Sequence, residues 1–101
     1  MASRVMWPLA LYRVAGHSML PTYRPGDTLL GWRWLRPRRL KPATVVVAEQ
    51  AGRPVIKRLT GHTAAGLSLA GDNPSDSLDS RQLGTVPPAS IKAVIIWRLP
   101  G

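Results

Sequence analysis

The apolar positions of this chain come in short runs, and glycine, proline, asparagine or aspartate interrupts nearly every one. Residues 5–15 read as a strand that runs into a turn at Gly16, and Pro25-Gly26-Asp27 is a strong turn signal. Residues 28–34 predict a second strand, with Leu29-Leu30 apolar and Trp32 and Trp34 alternating with Arg33. A basic, proline-broken loop follows over 36–42. Val45-Val46-Val47-Ala48 is then a short strand, Ala51-Gly52 a hairpin turn, and 55–59 the returning strand. Gly61 to Gly66 predicts a further turn, 67–70 a short strand, 71–84 a long loop rich in Asp, Ser and Pro, and 91–99 the last strand. No segment keeps a 3.6-residue apolar period over three turns. The expectation is a mainly β, mostly antiparallel single domain over 1–101 whose loops carry the function.

Composition supports this. Ten prolines and nine glycines in 101 residues suit many short elements separated by turns, and a 45% hydrophobic fraction is enough for a modest core. Cysteine is absent, which excludes a disulfide framework, a thiol nucleophile and a thiolate metal site. The net charge of +9 implies attraction to something anionic. No apolar run approaches the roughly 20 residues that cross a bilayer as a helix. The best candidate, Val5 to Tyr12, contains Pro8 and is flanked by Arg4 and Arg13. The chain is therefore expected to work in the cytosol or at a membrane surface. His17 and His62 have neither metal-ligand spacing nor carboxylate companions, so no metal or other cofactor is expected.

Three blocks carry candidate chemistry. Ser18 lies in Gly16-His17-Ser18-Met19-Leu20-Pro21-Thr22, where Gly16 permits an unusual backbone and Pro21 fixes the exit. A hydroxyl needs a base to become a nucleophile. Lys57, 39 residues on in Val55-Ile56-Lys57-Arg58-Leu59, can supply one if apolar neighbours keep its amine uncharged. Alternation along a strand would turn Lys57 inward and Arg58 to water. His17 is a poorer base, because an adjacent residue rarely reaches back with the right geometry. The third block, Gly71-Asp72-Asn73 through Ser77, Asp79, Ser80 and Arg81, can be locked by an Asp79–Arg81 pair, and Ser77 can orient an amine.

Taken together the blocks resemble those of the type I signal peptidases, serine endopeptidases that use a Ser-Lys dyad. The resemblance runs from about residue 11 to the end and implies a small antiparallel pseudo-barrel. It implies that Ser18 attacks the scissile carbonyl and that Lys57 is the general base. Ser77 would hold the amine, Asp79 and Arg81 would be structural, and Asp72 would shape the loop beside the base. Gly16 stands where some members carry a hydroxyl for the oxyanion hole. An extended peptide would lie between 12–15 and 54–56, with Tyr12, Val14, Val55 and Ile56 as candidate contacts and a preference for small side chains before the cut. Lys41-Pro42-Ala43-Thr44 departs from the Gly-Asp pair that many members have ahead of the Val-Val strand.

The expected substrate is a protein or peptide with an N-terminal leader. A rival substrate is a cytoplasmic precursor of the nickel superoxide dismutase type. Self-cleaving repressors share the chemistry, but only 17 residues precede Ser18 here, too few for a DNA-binding domain and a linker. A rival of another class is a non-catalytic basic β module. Its feature would be the stretch from Trp32 to Lys41, which suits a membrane surface better than nucleic acid. The plainer reading of that stretch is a hairpin with core tryptophans and solvated arginines.

Overall fold

The computed structural model describes residues 3–75 and 85–100. The strands are β1 (Ser3–Met6), β2 (Leu9–Arg13), β3 (Thr28–Trp32), β4 (Val45–Gln50), β5 (Arg53–Thr63), β6 (Gly66–Ala70) and β7 (Ile91–Arg98). They form one antiparallel sheet in the order β1-β2-β3-β7-β4-β5-β6. Short 3-10 turns stand at Pro37–Arg39 and Pro88–Ser90. The mainly β expectation holds. The sheet does not close on itself, and β1 and β6 are its edges.

The fold turns on β4. Its first four residues are all buried, so it reads as a continuous apolar run rather than an alternation. Both its faces are covered. Val45 and Val47 belong to one core with Ala10, Tyr12, Val14, Met19, Leu29, Ile56 and Ala93. Val46 and Ala48 belong to a second with Leu59, Leu67, Leu69, Val86 and Ile91. Each valine removed from water in this way contributes about 1.5–3 kcal/mol.

Three expectations need correction. Residues 5–15 are not one strand but a tight hairpin. Trp7 and Pro8 form its turn, and Val5 pairs with Ala10. Proline has no N–H to give a ladder, so a strand through Pro8 would have left a gap. The turn expected at Gly61–Gly66 is shorter, because β5 continues to Thr63 and a register shift between Leu59 and Gly61 absorbs the glycine. The tryptophans are not core. Trp7, Trp34 and Trp97 are more than half exposed and Trp32 is 37% exposed.

Candidate functional site

Ser18 sits on a loop that leaves the sheet after Val14 and returns at Asp27. The ends are pinned, since Val14 N–H donates to the Asp27 carbonyl (2.9 Å) and Gly26 N–H donates to that of Val14 (2.8 Å). Gly16 has φ +74°, a left-handed backbone that glycine adopts without strain. One residue after Ser18, Met19 is 1% exposed and packs in the first core. The buried methionine anchors the turn and holds the serine beside it at the rim of that core. Within the turn, Leu20 N–H donates to His17 O (3.2 Å) and Tyr23 N–H to Met19 O (3.0 Å).

Lys57 lies in β5 opposite Val46. At 6% exposure it is the one buried charged side chain among the described residues. Ser18 and Lys57 line the same cavity, of about 370 Å³. Val14 and Ala15 contribute to it from one segment, Arg53, Pro54, Val55 and Ile56 from another, and Met19 from the serine turn. Three of the four residues expected at a peptide, Val14, Val55 and Ile56, are therefore on its wall. Tyr12 is elsewhere. It is 7% exposed in the first core and packs over Gly31, where a Cβ would stand 2.7 Å from its Cε2. Burial pushes the Tyr12 phenol up, and Arg33 partly opposes this.

The third block is tied to both of the others. Asn73 N–H donates to the carbonyl of Ser18 (2.9 Å), and Asn73 Nδ2 donates to that of His17 (3.0 Å). Asp72 accepts from Thr22 Oγ1 at 2.5 Å on the serine turn. It also takes a two-pronged contact from Arg58, with Nε to Oδ1 at 2.8 Å and Nη2 to Oδ2 at 2.7 Å. The Arg58 hydrogen bonds hold the Asp72 carboxyl below the usual carboxylate range, and the Thr22 bond adds to this against the cost of burial. The same bonds to Asp72 raise the Arg58 guanidinium further.

Arg58 is thus no mere solvent-facing neighbour of Lys57. It is a part-buried clasp that also donates from Nη1 to the Ala43 carbonyl (2.7 Å). Strand alternation suggested water on that side, but a carboxylate brought across from residue 72 occupies it. Ala43 has φ +80°, so alanine adopts the glycine-type backbone at the turn where the sequence lacks the expected Gly-Asp pair. Ser77, Asp79 and Arg81 lie outside the described residues. Among those described, no three His, Asp or Glu side chains come together, and no helix is long and apolar enough to cross a membrane.

The Arg58–Asp72–Thr22 clasp was not among the expected contacts. Its only sequence signal is that each member sits inside a motif block.

A family model for Peptidase S24-like proteins matches residues 7–87. The chain belongs to the Peptidase S24-like family. This family is one of serine peptidase-like proteins, and the match takes in the serine turn, the lysine strand and the third block. A peptide or protein substrate follows from membership at that level. The S24-like match ends before β7, yet β7 fills the centre of the sheet between β3 and β4. Comparison with curated proteins and with solved structures gave no match to either.

Proposed function

We propose that this S24-like chain is a serine endopeptidase with a Ser18–Lys57 dyad, and that it removes N-terminal leaders by cutting after small residues. The observation that supports this best is the shared cavity, with a hydroxyl residue and a 6%-exposed lysine on one wall system. Removal from water disfavours the ammonium form, which is the condition for an amine to act as a base. In the proposed cycle Lys57 takes the hydroxyl proton while Ser18 Oγ bonds to the scissile carbonyl carbon. The C–N bond then breaks, and Lys57 returns the proton to the departing amine. Water, deprotonated by Lys57, attacks the ester and frees Ser18. Backbone N–H groups of the serine turn would face the oxyanion. Ser77 would hold the amine, with Asp79 and Arg81 bracing the loop behind it.

The peptide would lie extended along Val14–Ala15 and Arg53–Ile56, held by β-augmentation. Val14, Met19 and Ile56 give the cavity an apolar wall, against which a small apolar side chain before the cut would seat. Signal-peptide processing of the type I signal peptidase kind is one such reaction. Trimming a cytoplasmic precursor, such as that of nickel superoxide dismutase, is another. A second surface favours membrane work. Through the strand register, Leu9, Leu11, Leu30, Trp32, Val94 and Trp97 share the face of the sheet turned away from the first core. That face suits peripheral contact with lipid.

The test is a leader-peptide cleavage assay on Ser18→Ala and on Lys57→Met, which keeps the length of the buried side chain. Both should lose about 10³-fold or more in kcat while keeping the wild-type circular dichroism spectrum. Full turnover in the folded lysine variant would remove the dyad.

A further inference from the structure

The most basic segment of the chain lies on a different surface from the Ser18 cavity. The 3-10 turn at Pro37–Arg39 packs against the one at Pro88–Ser90, and a groove of about 460 Å³ opens between them. Its floor is Leu35, Pro37, Pro88 and Ala89. Its rim is Arg36, Arg38 and Arg39. Arg38 also lines an adjoining hollow of about 150 Å³ with His62 and Thr63.

The scaffold beneath is firm. Leu35 and Leu40 pack against the second core. Arg39 N–H donates to Arg36 O (2.9 Å), Leu40 N–H donates to Pro37 O (3.2 Å), and His62 Nε2 lies 2.6 Å from Leu40 O. The backbone that carries the three exposed arginines is therefore held in place.

None of these arginines meets a carboxylate among the described residues, and no acidic residue lines either hollow. Three guanidinium groups within four positions repel one another, and an anionic ligand would relieve that repulsion. A second copy of a chain carrying +9 would add to it. The floor has proline, leucine and alanine but no aromatic ring, so it offers nothing for a nucleobase to stack on. It suits an aliphatic side chain.

We propose that this groove binds an acidic segment of a partner polypeptide. An apolar side chain of that segment would seat on Leu35, Pro37 and Pro88, and flanking carboxylates would take paired N–H bonds from Arg36, Arg38 and Arg39. This docking site is separate from the peptidase cavity and does not depend on the reading of that cavity.

Fluorescence anisotropy tests it with a labelled peptide of alternating glutamate and leucine. The full chain carries Ser18→Ala so that the peptide stays intact. Binding should weaken about tenfold or more in the triple variant Arg36→Gln, Arg38→Gln, Arg39→Gln. It should be nearly unchanged in Arg13→Gln, Arg24→Gln, Arg98→Gln, which loses the same charge elsewhere. Ala89→Asp should weaken it as well, by placing a carboxylate on the floor. Equal loss in the two triple variants would mean general charge attraction and would overturn the site. So would equal binding of a lysine–leucine peptide. An oligothymidylate that binds more tightly than the peptide, and loses that binding in the first triple variant, would overturn it in favour of nucleic acid.

Discussion

Asp72 shows how much one carboxylate can organise. It accepts from Thr22 on the serine turn and from Arg58 next to the lysine, so a single side chain ties the two halves of the candidate site. Its folded-state carboxyl is held low, with the Arg58 hydrogen bonds as the main cause. The clasp therefore adds stability that is fully present above the ordinary carboxylate range and is lost as pH falls through the lowered folded value. Asp72→Asn should cost about 1–3 kcal/mol at neutral pH, measured by urea unfolding. The gap from wild type should narrow as the pH drops below about 4. A gap of constant size down to acid pH would mean that the carboxylate charge is not what holds the clasp. Ser18, Lys57 and Asp72 could each be picked out from the sequence, because their motifs place unusual residue types at fixed offsets. The partnership of Asp72 with Arg58 could not. Strand alternation says which side of β5 a residue faces but not what the chain brings to that side from 14 positions away.

At the scale of elements, the hairpin of β1 and β2 and the place of β3 beside it depend on one small residue. Gly31 in β3 faces the Tyr12 ring, and a Cβ there would meet Tyr12 at 2.7 Å and the Ala93 side chain at 3.1 Å. Neither can move freely, since both are buried in the first core. Gly31→Ala should therefore destabilise the fold by about 1–3 kcal/mol through overpacking. Tyr12→Leu should recover part of that loss by removing the ring, and a double-mutant cycle in thermal unfolding reads the coupling. Additive losses would show that the two residues do not compete for the space. Most strands are visible in the sequence as β-branched and apolar runs between turn residues. The Trp7-Pro8 turn was missed, because the apolar run of 5–15 outweighed the one proline inside it, although proline inside an apparent strand argues against that strand. The far end of β5 was not. Gly61 reads as a breaker locally, and only pairing with β6 on both sides of the register shift carries the strand past it.

Across the whole molecule, each face of the sheet carries one core, and over β2, β3 and β7 the face turned away from the first core ends in exposed aromatic side chains. Trp7 and Trp34 stack edge to face at 4.6 Å, and Trp32 and Trp34 at 6.0 Å, so three tryptophans form one patch. Trp97, opposite Leu30, extends it along β7. Combined with a charge of +9, such a face should adsorb to anionic vesicles. Tryptophan emission should then shift to the blue as vesicles are added, and Trp32→Ser with Trp97→Ser should weaken the adsorption several-fold. An unshifted spectrum at low salt would exclude lipid contact through this face. The sequence marks the Trp-Arg stretch but gives no sign of its exposure, because an aromatic run at strand spacing serves a core equally well.

The sequence alone determined the class of fold and the residues with unusual chemistry. Both are local: strand period, turn residues and motif spacing are read within a dozen positions. Only the tertiary structure decided which distant segments meet. β7, the last strand, enters between β3 and β4, and this insertion gives β4 a core on each face and brings the first core against the serine turn. Which strand fills that central slot depends on the burial of many side chains at once, a sum over the whole chain that no window of neighbouring residues contains.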